Sequence, residues 1–262
     1  MNKFILAVDI GNTHIKFSVF SNKGTFKKFF VVDTNKKISA KQILKEFKKL
    51  KIKNNFEICL ISSVVPSINK KVVGLVGKIF DVKCKFFPKD LKANLKMEFP
   101  KKSEVGADRF LASCGAQMLY PKNNLIVIGL GTAITVDCVK NGKYLGGLTI
   151  PGLYTSAKTL FKNAELLPDL DLKNPPSKFA FPKNTKESLE IGIFYGFADM
   201  VCGLINRFKK KLGKNAGSQP LVKVVATGGF AGSIAKICKD IDDVQPHLIT
   251  TALTKIYIQT KK

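Results

Sequence analysis

Short apolar runs alternate with polar turns through the first third of the chain. Residues 3–8 and 15–20 read as paired strands, and 26–32 as a third. Between the first two lies Asp9-Ile10-Gly11-Asn12-Thr13, a small polar turn carrying one carboxylate. Ile43, Leu44, Phe47 and Leu50 recur at helical spacing, so a helix is expected over 40–50 with Ser39 as its cap. Residues 58–61 form a buried strand that ends in Ser62-Ser63-Val64-Val65-Pro66-Ser67. Pro66 keeps Val65 extended, and Ser67 is expected to cap a helix reaching Phe80. A further strand falls at 82–87. This βββαβαβ order suits one half of a duplicated α/β fold.

Residues 88–104 are a polar, lysine-rich connection with little periodicity. A helix then opens in Glu104-Val105-Gly106-Ala107-Asp108-Arg109 and runs to about Leu119. Strands are expected at 125–128, 133–139 and 143–150, with Asn141-Gly142 as a hairpin turn. A helix over 153–163, a Pro-punctuated loop at 164–183 and a long helix to about Lys211 follow. Thr185 is the expected cap of the long helix, with Ser188 at its third position. Phe194, Phe197, Val201, Leu204 and Phe208 form its apolar stripe. Residues 213–219 read as a loop and 221–226 as a strand. The Thr227-Gly228-Gly229 turn, a short helix and a last helix over 247–259 finish the chain.

Two strand–turn–strand hairpins half a chain apart carry the candidate chemistry. Gly11 removes the Cβ that would keep a ligand from the backbone. Asn12 and Thr13 offer donors, and Asp9 can hold Mg²⁺ directly or through water. The same turn equally suits an ordinary hairpin whose Asp and Asn serve only the turn. Gly129-Leu130-Gly131-Thr132 repeats the plan, which favours a nucleotide clasped between duplicated halves. Asp108 near a helix start is favoured by the helix dipole. Asp108 and Arg109 can act as a base and an anion or hydroxyl anchor, or as a helix-start Asp beside a solvated Arg.

Composition changes this picture in three ways. The 262-residue chain is 45% hydrophobic, enough to bury the core of two medium domains. No run of about 18 apolar residues is present, so no membrane span is expected, and Met1 to Ile10 is too short for a signal peptide. The six cysteines form no CxxC pair and there are two histidines. Reduced thiols in a cytoplasmic protein, without zinc, are therefore expected. The net charge is +25, and of 44 basic residues all but Arg109 and Arg207 are lysine. Lysines spread along the whole chain fit a coding bias better than a nucleic-acid reader, which favours arginine forks. No specific nucleic-acid partner is expected. The bias also makes Arg109 stand out as a site where a planar, forked donor is needed.

Taken together, the motifs resemble the type III pantothenate kinases of the actin-like (ASKHA) kinase superfamily over nearly the whole chain. Asp9-Ile10-Gly11-Asn12-Thr13 is similar to the first phosphate motif, and Ser62-Ser63-Val64-Val65-Pro66 to a characteristic strand end. Gly106-Ala107-Asp108-Arg109 matches the GxDR hallmark. Gly131-Thr132-Ala133-Ile134-Thr135-Val136-Asp137 resembles the second phosphate motif, and Gly147-Leu148-Thr149-Ile150-Pro151-Gly152 the GGxIxPG segment. Asn184-Thr185 with Ser188, Gly192, Tyr195 and Gly196 resembles the dimer-interface helix, and Thr227-Gly228-Gly229 the adenosine-side turn. The resemblance implies an α/β fold of two duplicated actin-like (ribonuclease H-like) domains, 1–119 and 120–262, with a nucleotide cleft between them. It implies phosphoryl transfer from ATP, with Mg²⁺ and a monovalent cation (K⁺ or NH₄⁺), to pantothenate, giving 4′-phosphopantothenate for coenzyme A synthesis. Asp108 would be catalytic. Gly106, Arg109, Phe99 and Thr185 would meet pantothenate, Thr185 across a homodimer. Asp9, Gly11, Asn12, Thr13, Gly131, Thr132 and Gly228 would meet ATP or its metal. No GxxxxGK[ST] is present, which argues against a P-loop kinase.

Three departures stand out. Gly129 occupies the position of the family's monovalent-cation Asp. Phe99 stands where a Tyr is common, losing a phenol hydrogen bond of about 0.5–1.5 kcal/mol. Lys101-Lys102 replaces the usual Asn-Pro. The alternative reading is a catalytically weakened homologue acting as a binding or accessory protein. A polyanion-binding structural protein rests on charge alone.

Overall fold

The computed structural model describes residues 3–164, 166–168, 170–172, 174–213 and 221–261, and the backbone alone of Lys102. It forms two compact units. Unit 1 holds residues 3–94, Ser103–Gly115 and the segment from His247 onward; unit 2 holds Leu95–Lys102 and the described part of Ala116–Pro246.

Unit 1 is built on a five-stranded sheet in the order β3-β2-β1-β4-β5. Its strands are β1 (Phe4–Ile10), β2 (His14–Ser21), β3 (Phe26–Asp33), β4 (Phe56–Ser63) and β5 (Cys84–Phe86). The first three form an antiparallel meander, and β4 and β5 join in parallel. One face carries Leu6, Val8, Ile10, Ile15, Phe17, Val19, Cys59 and Ile61. It packs on Ile43 and Phe47 of α1 (Ala40–Lys49) and Ile68, Val72, Val76 and Phe80 of α2 (Pro66–Phe80). Side chains alternate along a strand. Asp9, Lys16, Ser18 and Ser62 therefore project from the other face. The covering there comes from α7 (Leu248–Gln259), which packs on β1 and β4, and Thr250 Oγ1 donates to Ser18 Oγ at 3.1 Å. By chain order α7 falls in the second half of the molecule, but it belongs to unit 1. Its apolar side, Ala252, Leu253 and Ile256, has no other sheet in that unit to cover.

Unit 2 repeats the plan. Its sheet runs β11-β10-β7-β8-β9-β6, from β6 (Lys96–Met97), β7 (Asn124–Leu130), β8 (Ala133–Lys140), β9 (Lys143–Pro151), β10 (Val222–Thr227) and β11 (Asp243–Val244). Again a meander, β7-β8-β9, is followed by two parallel strands, β10 and β11. The duplication read from two hairpins thus extends to the full strand order. The short β6 and β11 carry too few residues for an apolar pattern and escaped the sequence reading. Helices α4 (Leu153–Asn163), α5 (Thr185–Leu212) and α6 (Ala231–Ile237) complete this unit, and α3 (Ala107–Leu119) leads into it from unit 1. The expected loop at 213–219 lies, from residue 214 on, outside the described residues.

The caps follow local chemistry with two corrections. Ser39 caps α1 in a reciprocal box with Gln42, as expected. Ser67 does not cap α2: Val65 is its N-cap and Pro66 its first residue, because proline's missing N–H costs nothing there. Asn184, not Thr185, caps α5. Its side chain accepts from Glu187 N at 2.9 Å and donates to Glu187 Oε1 at 3.1 Å, a pairing worth about 1 kcal/mol. Phe194 and Val201 of the expected stripe are buried, joined by Ala198, Ile205 and Leu212, while Phe197, Leu204 and Phe208 pack partly buried.

The expectation of reduced thiols fails for one pair. Cys202 of α5 and Cys238 at the end of α6 form a disulfide. Thirty-six residues separate them, and only the packing of α6 on α5 brings them together. Helix α5 is also long and apolar enough, by length and composition, to cross a membrane, although no uninterrupted apolar run marks it. One side of it is core of unit 2; its exposed side includes Gly192, Gly196, Asp199 and Gly203.

His247 links stability to pH in unit 1. Its ring stacks on Phe26 at 4.1 Å and contacts Phe29 at 4.7 Å. Burial, and secondarily the charge of Lys16, pushes its pKa down to about 4. A depressed histidine pKa means that the neutral ring is the folded form. Its stabilising share is complete above the unfolded value of about 6.5 and is lost as pH falls toward 4. Urea unfolding at several pH values should show wild type losing more stability between pH 6.5 and 4 than His247→Phe, which keeps the stack without the proton. Equal losses would contradict this assignment.

Candidate active site

The first candidate site lies at the upper ends of β1 and β2. The turn from Gly11 to Thr13 is closed by Gly11 N–H donating to His14 O at 3.0 Å. Thr34, just past β3, ties it from outside: its N–H donates to Thr13 O at 2.9 Å and its Oγ1 to Gly11 O at 2.7 Å. Asn12 and Thr13 are left exposed at the tip. A braced turn with exposed donors suits a phosphate better than a turn held by its own side chains.

Below the turn, Asp9 pairs with Lys16 across β1–β2 and with Ser62 across β1–β4. Burial first and the charge of Asp108 second push the Asp9 carboxyl up to about 7, with Lys16 working in the opposite direction. Burial likewise lowers the Lys16 ammonium, with Asp9 opposing. Asp9 keeps some solvent contact even so, so the high value reflects poor solvation and a second carboxylate rather than complete enclosure.

Asp108 occupies the first turn of α3. Its Oδ1 accepts from Arg109 N at 2.9 Å and lies where a Cβ on residue 106 would come within 2.5 Å. Gly106 therefore sets the conformation of the Asp108 carboxylate, which explains a glycine at that point of the motif. Arg109 follows on the same turn, half-buried, with its carbonyl accepting from Ser113 Oγ at 3.0 Å. Unit 1 thus brings together Asp9, Lys16, Ser62 and Asp108, with the Gly11–Thr13 tip above Asp9.

Unit 2 holds a second braced turn, Gly131–Thr132, between β7 and β8. Gly131 N–H donates to Ala133 O at 3.1 Å. Thr132 O accepts from Gly152 N at 3.1 Å and Thr155 Oγ1 at 2.8 Å. Any Cβ on Gly152 would run into the Gly131 and Thr132 carbonyls, so the glycine of the GGxIxPG segment seats this turn. Gly228 has φ +101° and lies against the Leu130 backbone, and Phe230 N–H donates to Leu130 O at 3.2 Å. The Thr-Gly-Gly turn is thereby held beside the Gly131–Thr132 turn.

The three departures have local explanations. Gly129 faces Thr135 across β7–β8, and a Cβ there would meet Thr135 Oγ1 at 2.6 Å. Phe99 packs its ring on Gly146, whose φ of +102° and missing Cβ admit it. Lys101 is exposed, and Lys102–Glu104 forms a 3₁₀ turn. Phe99 belongs to unit 2, and Gly106, Asp108 and Arg109 to unit 1. Thr185 is exposed in the first turn of α5. Lys16, Thr34, Gly152 and Thr155 were missed as site residues. Strand parity marked Lys16, which is seven residues from Asp9 and directly opposite it; no local signal marked Thr34 or Thr155, which act through long-range bonds.

Known proteins similar to this chain place it in a family. The family model for type III pantothenate kinase matches residues 5–207. A type III pantothenate kinase of Oleidesulfovibrio alaskensis is 31% identical over 99% of this chain and 98% of its own. One from Nitratidesulfovibrio vulgaris is 32% identical over the same shares. Among solved structures, the activator of 2-hydroxyisocaproyl-CoA dehydratase from Clostridium difficile, with bound ADPNP, superposes with a TM-score of 0.52. It covers 98% of this chain and 95% of its own at 14% identity, a likeness of fold.

Proposed function

The chain belongs to the type III pantothenate kinase family, and we propose that it transfers the γ-phosphoryl group of ATP to the primary hydroxyl of pantothenate. The product is 4′-phosphopantothenate, the entry to coenzyme A synthesis. The observation that carries this reading is the pair Asp9 and Asp108 on one face of unit 1, beneath a braced phosphate-type turn.

Catalysis of this kind rests on positioning and charge neutralisation. Asp108 accepts the proton of the attacking hydroxyl, its carboxylate set by Gly106 and the Arg109 N–H. Arg109 anchors polar groups of pantothenate with its fork. The Gly11–Thr13 and Gly131–Thr132 turns receive phosphate oxygens, and Gly228 keeps a side chain away from the adenosine side. A hard cation fits beside Asp9: the carboxylate is poorly solvated, a second carboxylate stands near it, and Mg²⁺ is bound through one or two carboxylates. When bound, Mg²⁺ neutralises charge on the β- and γ-phosphates. Phe99 offers pantothenate an apolar ring edge. A soluble, cytoplasmic setting fits a metabolic kinase.

For the monovalent cation we propose loss of the carboxylate site. Gly129 brings no ligand, and Thr135 Oγ1 takes up the space where a side chain would start. For assembly we propose a homodimer through the outer side of α5. That helix is apolar along much of its length yet only partly buried in its own chain. Gly192, Gly196 and Gly203 are exposed there, with open space over each, so a second helix can approach closely. Thr185, exposed at the start of α5, then reaches pantothenate held by the partner subunit.

Asp108→Asn should lower turnover by about 10²-fold or more while leaving ATP affinity by calorimetry within a fewfold of wild type. Near-normal turnover would remove Asp108 from the base role. At constant ionic strength, replacing sodium by potassium should leave the rate unchanged, and a large stimulation would mean that other ligands form the cation site. Light scattering should give twice the chain mass for wild type and a single chain mass for Gly196→Arg. A wild-type monomer would refute the dimer.

A further inference from the structure

Ser62 lies at the end of β4, fully buried, and among the described residues its hydroxyl has no hydrogen-bond partner. An isolated buried hydroxyl costs roughly 1–3 kcal/mol of stability, so folds rarely keep one without a use. Its neighbour Ser63 shows what a purely structural serine does here. Ser63 Oγ donates to Asn69 Oδ1 at 2.6 Å and accepts from Val65 N at 3.0 Å, fastening β4 to α2. Ser62 projects from the opposite face and has no such task.

The register gives it one. Asp9 is the direct parallel partner of Ser62, and neighbouring strands run about 4.8 Å apart. Lys16, Asp9 and Ser62 therefore form one row across β2, β1 and β4, on the face to which Asp108 brings its charge. Ser62 Oγ makes no direct bond to Asp9, and side chains branching from strands at that spacing can share a single bridging water. Mg²⁺ dehydrates reluctantly and keeps several waters, each of which needs acceptors in a buried site.

We propose that Ser62 is a positioning residue for the metal: its hydroxyl and the Asp9 carboxylate together hold a water of the Mg²⁺ hydration shell. The assignment rests on the kinase reading for the presence of Mg²⁺-ATP. It explains why a fold that satisfies Ser63 completely leaves Ser62 without a protein partner.

The experiment is thermal denaturation of the full chain with ATP while Mg²⁺ is titrated, on wild type, Ser62→Ala and Ser62→Thr. Without ligand, Ser62→Ala should melt at or above the wild-type temperature, because it deletes an unsatisfied group. Its Mg²⁺ midpoint for ATP-dependent stabilisation should rise roughly fivefold, the equivalent of one ordinary hydrogen bond. Ser62→Thr, which keeps the hydroxyl, should return the midpoint toward wild type. A wild-type midpoint in Ser62→Ala would overturn the assignment, as would a shifted midpoint that Ser62→Thr does not restore. A wild type that is stabilised by Mg²⁺-ATP but makes no phosphopantothenate would refute the kinase reading and leave this one standing.

Discussion

Two carboxylates on one poorly solvated face impose the constraint on which unit 1 depends. Asp9 lies near the end of β1 and Asp108 in the first turn of α3, and the Asp108 charge makes Asp9 harder to ionise. A fold optimised for stability alone would separate them. This one holds them together with a lysine opposite Asp9, a glycine that frees the Asp108 carboxylate, and a helix N-terminus that favours its charge. A cation would relieve such an arrangement, and this is the physical reason for proposing phosphoryl-transfer machinery here rather than a pair of turn residues.

The second organising feature is repetition. Each unit lays down an antiparallel meander, adds two parallel strands, and presents the turn between its first two strands. In both units that turn is braced from outside, by Thr34 in one and by Gly152 and Thr155 in the other. The braces act on the carbonyl side of each turn and leave the tips at Asn12, Thr13 and Thr132 exposed to solvent. Repetition of the scaffold with different braces is what a duplicated fold would produce when each copy is tuned separately.

Much of this was legible from residue order. The strand meanders followed from alternation and the Asn141-Gly142 turn, and α1 from its apolar spacing and Ser39. The site motifs were legible because each combines small residues with one functional side chain. What escaped had physical causes. Asn184 took the cap from Thr185 because Glu187, three residues on, completes a reciprocal pair that Thr185 cannot make. The Cys202–Cys238 disulfide and the return of α7 to unit 1 depend on packing across long sequence separations. The hairpin register sets Lys16 opposite Asp9, but the relation of Ser62 to Asp9 depends on the register of strands far apart in sequence, which no local pattern specifies.

The central claim is that this chain phosphorylates pantothenate. The most direct measurement is incubation of the purified protein with ATP, Mg²⁺ and pantothenate, with product identified by mass. The account predicts one phosphate added to pantothenate and one ADP formed per turnover, with no product when Mg²⁺ is chelated. A folded protein that binds Mg²⁺-ATP and pantothenate yet leaves pantothenate unmodified would contradict it and favour a binding or accessory role.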